Sequence, residues 1–265
     1  MDIPSEVMKN RRKLATDLRK LADILYEYFP TADISSIESA ITQLRDNKYI
    51  PQIQREASNP NFWGYELSRI IFKFDPSPEN IFPEGCKDLK MILDIKAIGH
   101  CKDIGSLNDP FKLLEVNIVI EGTKFTNSVG KQLSTSYHLD RHILGEDDGE
   151  TEFPHPIYHF QFGGRKLMQR KELETGDLLI LDSPRIGHYP MEAILGIDFV
   201  LSNFFPKTWK AMRYESPEYV NLIEEYQELI LKPFVHTHAS KWQYSQDSIV
   251  KNTIWNPSMI CPQLI

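Results

Sequence analysis

Five of the eight histidines fall in one short window of the chain: His138, His142, His155, His159 and His188. Inside it lies the row YHLDRH (137–142). In a strand, His138, Asp140 and His142 share one side while Tyr137, Leu139 and Arg141 share the other. Two imidazoles and a carboxylate make a poor hydrophobic face. They are suited to proton transfer or metal ligation, with a solvated strand face as the plain alternative.

Two sets of partners can complete the row. His188, just after the apolar run GDLLILD (176–182), is the natural third ligand for a metal. His138, Asp140 and His188 would form the facial triad of a non-haem Fe(II) centre, which needs three ligands on one face and an open position opposite. Alternatively, His155, His159 and Arg185 supply catalysis without metal. The chemistry expected of that set is nuclease-like RNA cleavage, with one imidazole as base, another as acid, and Arg185 on the phosphate.

These residues need a sheet to hold them, and the periodicity supplies one. DLKMILDIKAI sets Leu89, Met91, Leu93, Ile95 and Ala97 against Lys90, Asp94 and Lys96, and LLEVNIVIEG repeats the alternation with Leu114, Val116, Ile118 and Ile120. QLSTSYHLDRHI, PIYHFQF and DLLILD are three further strands with short links, so the sheet is expected to be mainly antiparallel. NFWGYELSRIIFKF (61–74) and MEAILGIDFVLSNFF (191–205) read equally as strand or helix.

Helices flank this core. Leu14, Leu18, Leu21, Leu25 and Tyr28 recur at spacings of four and three, and Pro30 ends the run. A second helix covers about 36–46, with Ser35 and Glu38 as a capping box. At the other end, 216–234 is helical, with Ser216 as N-cap and Pro217 at the first position. The expected fold is therefore α+β, an antiparallel sheet between N-terminal and C-terminal helices. Its regions are 1–75 (helical), 86–205 (β-rich, holding the site) and 206–265 (helical with a tail), integrated into one domain.

His138-x-Asp140, GETEFP (149–154), GDLLILDSPRIGH (176–188) and GIDFVLSNFF (196–205) occur in an order that resembles the 2-oxoglutarate/Fe(II)-dependent dioxygenases and cupins. The resemblance covers about 137–205. It implies a double-stranded β-helix, Fe(II) on His138, Asp140 and His188, and 2-oxoglutarate held by a basic residue on the last core strand. Asp198 stands near the position of that basic residue, which leaves Arg165 or Arg185 as the clamp. HLD (138–140), HPIYH (155–159) and RIGHYP (185–190) also resemble uncharacterised bacterial domains encoded near toxin–antitoxin or phage-defence genes, which brings His155, His159 and Arg185 into the site.

Composition narrows the partners. The chain has 265 residues, 41 % hydrophobic and 25 % charged, with a formal charge of −7 and no long charged run. An extended nucleic-acid surface is not expected from such a balance. A small-molecule or nucleotide-containing substrate in a pocket is, as is a protein partner on the aromatic strand positions Tyr137, Tyr158, Phe160 and Phe162. Three separated cysteines without a CxxC pair suggest neither a disulfide framework nor a zinc knuckle. No run of about 20 apolar residues is present to span a membrane, and a cytoplasmic protein is expected.

Overall fold

The computed structural model describes residues 5–46, 62–75, 83–100, 109–141, 156–163 and 186–240. Two helices come first, α1 (Ser5–Tyr28) and α2 (Ser35–Asp46). The leucines of the predicted stripe, Leu14, Leu18, Leu21 and Leu25, are all buried. The expected capping box at α2 does not form. The Ser35 hydroxyl donates instead to Asp33 Oδ1 at 2.7 Å, and Glu38 pairs with Arg19 of α1.

Six strands follow: β1 (Phe62–Lys73), β2 (Cys86–His100), β3 (Phe111–Thr126), β4 (Val129–Arg141), β5 (Tyr158–Phe162) and β6 (Ile186–Gly187). They form one sheet in the order of the chain, with every neighbouring pair antiparallel. β3 and β4 meet at Asn127-Ser128, whose φ values of 49° and 66° are those of a two-residue hairpin turn that follows the twist of the strands. The α+β class with an antiparallel sheet is thus observed.

The helices and sheet share a single core. On β2, Met91, Leu93, Ile95 and Ala97 are fully buried, and on β3 so are Leu114, Val116 and Ile118. The helical layer closes with α3 (Ala193–Phe204), α4 (Pro206–Glu215), α5 (Pro217–Tyr226), a π-helical turn (Gln227–Leu231) and α6 (Lys232–Ser240). Pro217 sits at the start of α5 and the Ser216 hydroxyl accepts from Tyr219 N, as its sequence signals predict. Among the described residues, no helix is long and apolar enough to cross a membrane.

Two segments that periodicity left open are now settled. Residues 62–73 form a strand, so the first region of the chain is not wholly helical. Ala193–Phe204 is a helix rather than a last core strand. It is apolar nearly all round because it lies between the sheet and the other helices, where no face is left for a polar stripe. A Cβ at Gly196 would come within 3.2 Å of Ile95 Cδ1, so the helix packs close upon β2.

Both results bear on the β-helix expectation. The described strands make one meandering sheet rather than two facing ones. The motif GIDFVLSNFF, which the resemblance needs as a strand, is helical. The predicted strand at 176–182 lies outside the described residues.

The free edge of β1 is covered by the first two helices. The Arg11 guanidinium donates to the Phe62 carbonyl, Gln43 Oε1 accepts from Glu66 N at 2.9 Å, and Asp33 bridges Ile71 through its backbone. An edge so occupied cannot template pairing with another chain. Within the sheet, the register shifts between Leu67 and Ile70, where Arg69 takes a left-handed φ of 61°. Asp94 Oδ1 holds that bulge by accepting from Arg69 N at 2.8 Å.

Candidate functional site

Alternation along the strands divides the sheet into a helix-facing side and a polar side. The register then aligns the polar side chains into rows. Glu66, Lys96, Glu115, Asp140 and His159 lie abreast on β1 to β5, and Asp94, Asn117, His138 and Gln161 form the adjacent row on β2 to β5. Directly paired residues share a face. His138, Asp140, His159 and Asn117 therefore meet on the polar side without any loop to carry them.

The contacts centre on Asp140. Its Oδ2 lies 2.9 Å from His138 Nε2, and its Oδ1 lies 2.9 Å from His159 Nε2. The first contact is a directed hydrogen bond, whereas the second is an ion-pair approach off the ideal hydrogen-bond direction. His138 Nδ1 is 2.8 Å from Asn117 Oδ1. The side chains of His138 and His159 are 13 % and 5 % exposed and that of Asp140 is 28 % exposed, so the carboxylate is the most accessible of the three. Burial by itself would raise the Asp140 carboxyl. The two imidazoles outweigh it and hold the group well below the usual carboxylate range, so Asp140 is ionised at neutral pH.

His138 is fixed at both ring nitrogens. With Nε2–H given to Asp140, the neutral ring presents a lone pair at Nδ1, which suits the amide NH₂ of Asn117. With Oδ1 turned toward the ring, the same geometry suits an imidazolium. In either form Nδ1 points toward β3.

The reverse side of the same strand ends is polar as well. Arg141 Nε lies 2.8 Å from Asp109 Oδ2, and the Tyr158 hydroxyl donates to Asp109 Oδ1. Burial, reinforced by Asp109, pushes the Tyr158 phenol far above its ordinary value. This cluster ties β4 and β5 together beneath the candidate site.

His188 is not part of it. Its backbone N–H donates to the Tyr158 carbonyl, which places it level with Tyr158 on the helix-facing side. There its ring packs on Phe160 and Phe199, with centroids 5.8 and 5.6 Å away, and its Nδ1 is 2.8 Å from the Tyr189 carbonyl. Burial lowers its pKa. The sheet thus separates His188 from His138 and Asp140, and the expected facial triad is not assembled. Among the described residues, no group of three or more His, Cys, Asp and Glu side chains is arranged to hold a metal ion.

Asp198, near the expected position of the cosubstrate clamp, is buried among helices and accepts from Trp209 Nε1 at 2.7 Å and Tyr219 OH at 2.8 Å. It ties α3 to α4 and α5. Of the remaining predicted site residues, His142, His155, Arg165 and Arg185 lie outside the described residues. Asn117 and Glu115 had not been anticipated. Their only signal is the register of β3 against β4, which alternation within one strand does not reveal.

No family model matches this chain, and neither the curated proteins nor the solved structures contain a significant match to it.

Proposed function

We propose that the polar side of the sheet carries a general acid–base site and that the chain is an enzyme acting on a small polar substrate. His138 exchanges a proton with the substrate through Nδ1. Asp140 holds the ring through Nε2 and stabilises the imidazolium once it forms. His159 supports Asp140 from its other oxygen. Orientation of an imidazole by an ionised carboxylate is a recurring way to fix tautomer and direction.

The observation that carries this reading is the bracketing of Asp140 by two imidazoles while the remaining nitrogen of His138 points at Asn117. Asn117 is a neutral amide, which a substrate hydroxyl or amine can displace at small electrostatic cost. The reading needs no metal ligand beyond these residues. His188, the third ligand of the iron-centre reading, is committed to the opposite side. The nuclease-like reading shares His159 with this site and also calls on His155 and Arg185.

The test is turnover of a cell-extract metabolite mixture, followed by mass spectrometry, with wild type, His138→Ala and Asp140→Asn. Wild type should consume at least one component in the presence of a chelator. Each variant should lose about 10²- to 10⁴-fold in rate, the range of a positioned acid–base group. Equal turnover by His138→Ala, or complete dependence on added Fe(II), overturns the proposal.

A further inference from the structure

β5 brings His159 to the site from a strand of only five residues, and its sequence leaves its register open. Tyr158, Phe160 and Phe162 alternate with His159 and Gln161. Because strand side chains repeat every two residues, a slip of β5 by two along β4 keeps every side chain on its own side of the sheet. Toward the helices, aromatic largely replaces aromatic. On the polar side, Gln161 or Ile157 takes the place of His159 opposite Asp140, and the bracket around the carboxylate is lost. Apolar patterning therefore does not select the register that the site needs.

Two side-chain bonds outside the ladder mark the ends of this strand. At one end the Tyr158 hydroxyl donates to Asp109 Oδ1. At the other, Gly163 follows Phe162 and meets Ser136, which shares the polar side of β4 with His138 and Asp140. Gly163 N donates to the Ser136 carbonyl at 2.7 Å, and the Ser136 hydroxyl donates to the Gly163 carbonyl. Gly163 has a φ of 88°, a left-handed conformation open to glycine and strained for residues with a Cβ. Ser136 is only 1 % exposed, although it lies on the polar side, so its hydroxyl is committed to this acceptor rather than shared with water. A slip by two would set position 161 or 165 against Ser136, and neither is glycine.

We infer that Ser136, acting with Gly163, is a positioning residue of the candidate site: it selects the register of β5 that sets His159 against Asp140. The inference rests on the acid–base reading for its catalytic consequence. Ser136 acts through His159 and takes no proton itself. The Tyr158–Asp109 bond holds the other end of β5, so the strand is pinned on either side of His159.

Nuclear magnetic resonance on the full chain reads the register directly. The bond from Gly163 N makes Ser136 and Gly163 a hydrogen-bonded pair, so Leu139 and Phe160, three steps along, form a non-hydrogen-bonded pair with close Cα atoms. Wild type should give an Hα–Hα contact between Leu139 and Phe160. Ser136→Ala should lose part of that contact and gain one from Leu139 to Phe162 or to Tyr158. Its Asp140 carboxyl, followed through the carboxyl carbon resonance, should titrate at higher pH than in wild type, because one of two imidazoles has withdrawn. Gly163→Ala keeps the hydroxyl but opposes the left-handed φ, and should give the same two changes. Ser216→Ala, which removes the cap of α5 and lowers stability alone, should leave both signals as in wild type.

An intact Leu139–Phe160 contact with an unmoved Asp140 titration in both variants overturns the inference. Equal changes in Ser216→Ala do so too, as does loss of fold in both variants by circular dichroism, which would make the clamp a matter of global stability. If Ser136→Ala shifts the register while His138→Ala keeps full turnover of the metabolite mixture, the positioning role stands and the acid–base reading falls. If the register holds in Ser136→Ala while His138→Ala loses turnover, the reverse is true.

Discussion

His138 and His188 stand on opposite sides of one sheet. The first shares the polar side with Asp140, while the second packs on Phe160 and Phe199 toward the helices. The two histidines therefore have separable roles, and substitution of each should fail in a different way.

For His188→Ala, the loss is packing. Removing the ring leaves a partial cavity among aromatic side chains, and the expected cost is about 1–3 kcal/mol, read as a lower melting temperature. Turnover per folded molecule should remain near wild type. His138→Ala should lose turnover, together with the stability contributed by its bond to Asp140. A catalytic defect in His188→Ala at unchanged stability contradicts the separation.

Two carboxylates give stability a pH dependence of opposite sign. Burial raises Glu192 from 4.5 to about 7, against the pull of donors at Ile194 N, Leu195 N and the Tyr65 hydroxyl. A carboxyl whose folded pKa is raised contributes stability that is full below about 4.5 and is lost as pH rises through about 7. Glu192→Gln should flatten this decline, measured as melting temperature between pH 4.5 and about 7.

Asp140 runs the other way. Its folded pKa is depressed below 3.8, so its contribution is present above that value and disappears as pH falls through the folded one. Acid titration of wild type and Asp140→Asn should show a difference in stability that shrinks as the solution is acidified. A difference that grows toward low pH rules out this assignment.

Asp198→Ala is expected to be among the more destabilising substitutions in the helical layer. It strands the Trp209 indole N–H and the Tyr219 hydroxyl without their acceptor, at a cost of about 2–4 kcal/mol. Chemical denaturation measures it. Little or no loss would mean that the two donors find other partners.

At the β3–β4 turn, Ser128 holds a φ of 66°, a conformation that glycine adopts without steric penalty. Ser128→Gly should stabilise the protein by about 0.5–1 kcal/mol, because an Asn-Gly pair suits this turn better than Asn-Ser. Denaturation midpoints at equal slope would report the gain.

The sheet was legible in the sequence wherever one face met the core and the other met water. The alternation around Met91, Leu93 and Ile95 predicts both strand and buried face. Ala193–Phe204 was not legible, because an element buried on every side has no polar stripe to show its period. Its start is also capped by Glu192, a residue type rarely read as an N-cap. Within the candidate site, His138 and Asp140 were visible as a strand-spaced pair. The face that His188 takes was not legible, because its place after an apolar run says nothing about it. That is decided by its alignment with Tyr158, a contact between distant parts of the chain. Asn117 and Glu115 were missed for the same reason.

Each described strand of this sheet pairs with the described strands before and after it, and one register positions both the apolar side and the polar side. A slip of β4 by a single residue would turn Tyr137 and Leu139 toward the polar side and drive His138 and Asp140 into the helices. The candidate site and the core are thus set by the same alignment. Selection that preserves the folded state of the β3–β4 hairpin also proofreads the candidate site, and a hairpin slipped by one residue cannot persist as a stable but inactive protein.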